Sequence, residues 1–376
     1  MQRKMALVLS GGGARGAFQA GVIRALYELS QEAGHFDVFR TLCGVSAGSI
    51  NAAFLASQAD DLDGATARLC ELWRKLQAED VFRTDYSSVT RNALKLMRGV
   101  SFGGISEKLR TPSMGLLNTD PLRTTLSEIL SFAKVGEHLL NDRLDAISIS
   151  ATDYSTSVGV SFVQGGKGHN AWKSANRTSL FSTLTVDHIM ASSAIPLFFP
   201  PIFVDGRAYG DGCLRNTAPL SPAVHLGAEK LIVIGVRRTR EIDLSTSTNL
   251  APSLGRILSV LINAIFMDAV EVDIERLHII NQTISQLQHA GLPSPYRPVE
   301  ALYICPSEGL SDIAQSRNHD LPKIIRFLLA GLGTPEEAAE ILSYLLFEPG
   351  YCGSLVDLGY KDTMSRRAEI VSFLNT

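Results

Sequence analysis

The stretch Thr41-Leu-Cys-Gly-Val-Ser-Ala-Gly-Ser-Ile50 constrains the fold more than any other part of the chain. It contains Gly44-Val45-Ser46-Ala47-Gly48, a G-x-S-x-G pentapeptide. Residues 36–43 can form a short buried strand in front of it, and the Ala- and Leu-rich residues 47–57 read as a helix behind it. Strand, sharp turn and helix are the setting of a nucleophile elbow. The turn strains the serine backbone, and side chains two positions away would block it; glycine at both positions removes the block. The serine oxygen then stands clear of the sheet beside a helix N-terminus, where the dipole favours developing negative charge. The pentapeptide alone is a short pattern in a chain with 31 glycines, so the flanking strand and helix give it its weight.

The residues before the elbow complete a unit. Residues 6–9 read as a first strand, a glycine cluster follows, and Phe18, Val22, Ala25, Leu26 and Leu29 recur at helical spacing. With the Ser46 strand this makes a βαβ unit, which implies a parallel sheet with a right-handed connection. The cluster Gly11-Gly12-Gly13-Ala14-Arg15-Gly16 matches G-x-G-x-x-G between strand and helix, the position of a dinucleotide-binding loop. Dinucleotide folds end the second strand in an acidic residue that holds the ribose; here that strand ends in Gly44-Val45-Ser46. No Gly-Lys-Ser/Thr follows either, so the loop is not of the Walker type. Successive backbone N–H groups in a glycine loop at a helix start form an anion-binding nest, and beside a serine nucleophile such a nest serves as an oxyanion hole. Arg15 has two readings: it holds the loop or helps neutralise a substrate phosphate, or it forms a surface salt bridge.

A serine nucleophile needs a base. His225 and His278 are the late histidines that a full triad would use, but neither sits in a turn motif. Asp211 is better placed. It leaves a hairpin whose turn is signalled by Asp205-Gly206, and Gly212 follows it. A carboxylate takes a serine proton directly if it is dry enough for its pKa to rise.

The four segments together, Ser10-Gly-Gly-Gly-Ala-Arg-Gly16, Gly44-Val-Ser-Ala-Gly48, Ala191-Ser-Ser-Ala-Ile-Pro196 with Phe199-Pro-Pro201, and Asp211-Gly-Cys213 with Asn216 and Pro219, resemble the patatin-like phospholipases in order and spacing. The likeness covers about the first 240 residues. The tail is similar to bacterial members at Asn263-Ala-Ile-Phe-Met-Asp268, Asp273-Ile-Glu-Arg-Leu277 and Ser343-Tyr-Leu-Leu-Phe347. The resemblance implies a three-layer α/β/α sandwich with a largely parallel central sheet and a helical C-terminal region. Residues 1–240 would be the catalytic domain and 241–376 a helical extension packed on it. By position it makes Ser46 the nucleophile, Asp211 the base, and the backbone N–H groups of Gly12 and Gly13 the oxyanion hole. The implied activity is hydrolysis of phospholipid or lysophospholipid esters through an acyl-serine, with no metal or other cofactor. Acyl transfer to an alcohol is the enzyme alternative, and a lipid-binding protein without catalysis is the other. Cys213 bears on the second, because the family reads glycine or alanine there, and a Cβ would strain a left-handed backbone.

The remaining features set the surroundings. A net charge of −3, from 35 basic and 38 acidic residues, excludes a global basic field for nucleic acid. Five scattered cysteines without paired spacing fit a reduced compartment, and with apolar runs too short to span a bilayer they point to a cytoplasmic protein. Residues 79–118 break the pattern, with Arg91, Lys95 and Arg98 beside Leu94 and Met97; this excursion is expected to be a lid or a peripheral membrane contact. Residues 231–236 read as a buried strand, 158–163 as an antiparallel arm, and 257–281, 321–332, 334–346 and 362–373 as helices. The oligomeric state is not written in the sequence.

Overall fold

The parallel strands are apolar on both faces, so the sheet they form needs a helical layer on each side. The computed structural model describes residues 4–35, 38–83, 115–238, 268–317 and 335–376, with isolated positions between 257 and 264. Within them, β1 (Met5–Leu9), β2 (Thr41–Val45), β3 (Ala146–Asp153), β4 (Val158–Gly165), β5 (Arg177–Phe181), β6 (Ile202–Val204), β7 (Arg207–Asp211), β8 (Lys230–Ile234) and β9 (Glu300–Ile304) form one sheet. Its main order is β5-β4-β3-β2-β1-β8-β9. The run β3-β2-β1-β8-β9 is parallel throughout. The expected antiparallel arm is β4 on β3. The β6–β7 hairpin turns through Asp205-Gly206, both at positive φ, and β7 lies antiparallel to the end of β3, pairing Asp211 with Ala151.

Alternation along β1 shows the layers. Met5, Leu7 and Leu9 face one core; Ala6 and Val8 face the other. The first core holds α1 (Gly16–Glu32), α2 (Ala47–Ser57), α3 (Leu62–Lys75), α4 (Ala78–Val81), α5 (Asp120–Ile129), α6 (Phe132–Leu140) and α7 (Val186–Ser192). The second holds α8 (Ser221–His225) and α9 (Asp268–His289), through Ala223 and through Val270, Ile274 and Leu277. The later helices α10 (Leu310–Ser316), α11 (Pro335–Leu345), α12 (Pro349–Ser365) and α13 (Arg367–Asn375) return to the first face, where Tyr351 and Leu355 are buried.

The sheet is therefore mostly parallel, with helices on both sides and a largely helical C-terminal region. That region also supplies β9, which continues the sheet beyond β8 in parallel register. The helix expected over 362–373 is two, because α12 ends at Ser365 and α13 begins at Arg367. Arg366 between them hydrogen-bonds Tyr303 O and Glu369. The expected helix over 321–332 and the basic stretch Arg91–Arg98 lie outside the described residues. Among the described residues no helix is long and apolar enough to cross a membrane.

Candidate active site

All the pieces collect at one edge of the parallel sheet, beyond the C-terminal ends of β1 and β2, where open α/β sheets bind their ligands. Ser46 joins β2 to α2 with φ 53° and ψ −128°, a region that side-chain-bearing residues rarely occupy. The strain is held from outside the turn. The Ser46 N–H donates to Ser192 Oγ at 2.9 Å, and Ser192 Oγ donates to Ser150 O at 2.6 Å. Gly48 permits the next contact, since a Cβ there would lie 2.4 Å from Leu9 O. The absence of that atom lets α2 start against the end of β1.

Asp211 ends β7 and is fully buried. Its Oδ2 accepts a hydrogen bond from Ser46 Oγ at 2.7 Å, and its Oδ1 accepts from Cys213 N–H at 2.9 Å. The backbone is pinned as well: Asp211 N–H donates to Ala194 O at 3.0 Å, and Thr152 Oγ1 donates to Asp211 O at 2.9 Å. Burial pushes the carboxyl up to about 6, while the hydrogen bonds from Ser46 and from the Cys213 N–H and thiol pull it down. A carboxylate in this state is ionised at neutral pH and ready to take a proton, which suits a general base.

The glycine loop faces Ser46 from the end of β1. Gly13 opens a 3-10 turn, Gly13–Arg15, at φ +56°. A Cβ at Gly13 would stand 2.3 Å from Tyr344 O, so both its conformation and its contact require glycine. The N–H groups of Gly12 and Gly13 enter none of the loop and turn hydrogen bonds among the described backbone groups. They are donors that an oxyanion can claim.

Arg15 is engaged by the C-terminal part of the chain. It is buried, not a surface ion pair. Its Nε donates to Ser343 Oγ at 2.9 Å, its Nη2 pairs with the Glu340 carboxylate, and its guanidinium lies 4.6 Å from the Tyr344 ring centroid. Cys213 lies in the 3-10 turn Gly212–Leu214 and is not among the residues with positive φ, so its side chain imposes no backbone strain. Its thiol sits between the Asp211 carboxylate and the Gly11 N–H.

None of the late histidines touches this group by a hydrogen bond. His188 Nδ1 lies 3.0 Å from Thr185 Oγ1, His225 stacks on Trp172 at 4.8 Å, and His278 is exposed on α9. Three contributors were not singled out by residue type: Ser192, Thr152 and the Glu340–Tyr344 segment. Ser192 was visible only inside Ala191-Ser-Ser-Ala-Ile-Pro196, and Ser343-Tyr344 only inside the tail motif.

A narrow cleft opens from Ser46 and Gly13. It runs between α3, α4 and α5 and is walled by Leu72, Trp73, Val81, Leu126, Phe199 and Phe347, among others. Its apolar lining suits a hydrocarbon chain.

A family model described as Patatin-like phospholipase matches residues 7–224, more than half of the chain. No sequence among curated proteins matches. By structure the chain is similar to VipD from Legionella pneumophila, with 14% identity, 98% of this chain and 67% of that chain covered, and a TM-score of 0.35. It is similar to human GIVD cytosolic phospholipase A2 in complex with methyl gamma-linolenyl fluorophosphonate, at 12% identity, 99% and 58% coverage, and a TM-score of 0.45. It is also similar to a structure of full-length SpcU with full-length ExoU from the type III secretion system of Pseudomonas aeruginosa, at 14% identity, 90% and 77% coverage, and a TM-score of 0.28. The chain thus spans less than two thirds of the human protein.

Proposed function

Since the chain belongs to the patatin-like phospholipase family, we propose that it is a serine lipid acyl hydrolase that cleaves the carboxylic ester of a phospholipid or lysophospholipid with Ser46 and Asp211. The observation that carries this reading is the 2.7 Å hydrogen bond from Ser46 Oγ to the buried Asp211 carboxylate, at the mouth of an apolar cleft. Ser46 Oγ attacks the ester carbonyl carbon as its proton passes to Asp211 Oδ2. The carbonyl oxygen becomes the oxyanion and takes the N–H groups of Gly12 and Gly13, donors of a kind worth roughly 3–4 kcal/mol each. Collapse breaks the bond to the alkoxy oxygen, which leaves with the proton from Asp211. Water then attacks the acyl-Ser46, gives its proton to Asp211, and the carboxylic acid departs with Ser46 restored. The acyl chain occupies the cleft throughout. Residues 1–240 supply the reacting groups, and residues 241–376 support them.

The test is a panel of esters of increasing acyl length, run with the wild type and Ser46→Ala, beside labelling by a fluorophosphonate. Wild-type turnover with covalent labelling at Ser46, both lost in Ser46→Ala, is the expected result. A folded Ser46→Ala that keeps its esterase activity overturns the reading. Added glycerol or lysolipid, with analysis of the products, separates hydrolysis from acyl transfer.

A further inference from the structure

Two consecutive serines at the end of α7 have opposite fates. Ser192 Oγ is spent on the elbow, between Ser46 N–H and Ser150 O. Ser193 is 6% exposed, yet its Oγ has no hydrogen-bond partner among the described residues. Buried hydroxyls are nearly always paired, so an orphan calls for a missing partner. Ser193 lines the cleft that opens from Ser46. The other polar side chains of that lining are engaged: Ser46 with Asp211, Thr125 Oγ1 with Asp80 O, and Trp73 Nε1 with Asn51 Oδ1. Ser193 follows in sequence the residue whose hydroxyl holds the Ser46 N–H, and it lines the same cleft as Ser46 and Gly13.

An ester brings two acceptors to that place. On the function proposed above, the carbonyl oxygen is taken by the glycine loop, which leaves the alkoxy oxygen. We propose that Ser193 Oγ donates a hydrogen bond to the alkoxy oxygen of the bound ester and so makes the site selective for oxygen esters. The bond strengthens as the tetrahedral intermediate collapses, because negative charge grows on that oxygen before it takes the proton from Asp211. Sulfur is a weak acceptor, so a thioester gains little from the same hydroxyl.

The experiment compares an oxygen ester and a thioester with identical acyl and alkyl parts, using the wild type, Ser193→Ala, Ser193→Thr and Ser46→Ala. Ser193→Ala should lower kcat/KM roughly tenfold on the oxygen ester, mostly in kcat, and by less than about twofold on the thioester. Ser193→Thr, which keeps the hydroxyl, should restore most of the preference. The melting temperature of Ser193→Ala should equal or exceed that of the wild type, because the change removes an unpaired buried hydroxyl. Equal losses on both substrates, or no loss on either, overturn the role of Ser193 while Ser46→Ala stays inactive. Activity surviving in Ser46→Ala overturns the hydrolase reading itself.

Discussion

The two glycine turns that meet at the candidate site are held by different parts of the chain. The elbow around Ser46 is shaped by its neighbours in the first βαβ unit. Gly48 packs on Leu9 O, and the distant help is a short polar chain through Ser192 to Ser150. The loop at Gly13 is shaped from the other end of the molecule. Tyr344 O stands against Gly13, and Arg15 reaches Glu340, 325 residues away in sequence. In the proposed site the turn of the nucleophile is thus mainly a local product, and the electrophilic side is a long-range one. Damage to the first should remove chemistry outright, and damage to the second should grade it.

The largest effects are expected on the nucleophile side. Ser46→Ala and Asp211→Asn should each lower kcat by roughly 10³-fold or more, and the double variant should be no worse than either, because residues acting as a unit lose a shared function once. Additive losses in folded protein would show that the two act separately. Next comes Gly13→Val, expected to cost roughly 10²-fold in kcat or more, since its side chain must displace Tyr344 or turn an N–H donor away. An unchanged kcat in a folded Gly13→Val would remove the loop from the chemistry.

A graded effect is expected from the tether. Arg15→Met and Glu340→Gln should each lower kcat about tenfold with KM little changed, the pattern of an interaction felt in the transition state. A loss confined to KM for phosphate-bearing substrates would instead make Arg15 a substrate contact.

Titration separates the two sides at smaller amplitude. With Asp211 pushed up to about 6, kcat/KM should rise with pH through that value as the carboxyl gives up its proton, and level off above it. The Arg15 variants should keep the same limb at a lower plateau. Stability runs the other way. The folded protein holds on Asp211 a proton that the unfolded chain has released at its ordinary 3.8, so stability falls as pH rises from there to about 6. Melting temperature across that window should fall less in Asp211→Asn. The smallest change is expected for alanine at His188, His225 or His278, within about tenfold of wild-type kcat, because none bonds Ser46 or Asp211. An inactive but folded His225→Ala would replace the dyad by a serine–histidine pair.

What the sequence disclosed follows the same division. The elbow, the Asp205-Gly206 hairpin and the buried run near Leu231 are legible because turn residues and short periodicities are local signals. Asp211 was found as the residue a hairpin delivers, and the Ser46 bond to it agrees with that placement. β9 was missed because Glu300-Ala-Leu-Tyr-Ile304 is short and mixed in polarity; its pairing with β8 makes it a strand. The break at Arg366 went unseen for a like reason, since the contacts that fix it lie on β9 and α13. Arg15 could not be assigned between loop support and the surface, because its partners are specified only when α11 folds back on the loop.

The Arg15 tether also bears on when the protein becomes active. Synthesis delivers the residues that shape the elbow first, Asp211 after them, and Glu340 to Tyr344 later still. A nascent chain, or a fragment cut before α11, therefore carries Ser46 and Asp211, the proposed attacking group and base, without the wall behind Gly13. On the proposed function, hydrolysis stays weak until residues 340–344 have folded back on the glycine loop. On that reading full potency arrives with α11, and a single proteolytic cut ahead of Glu340 would withdraw it.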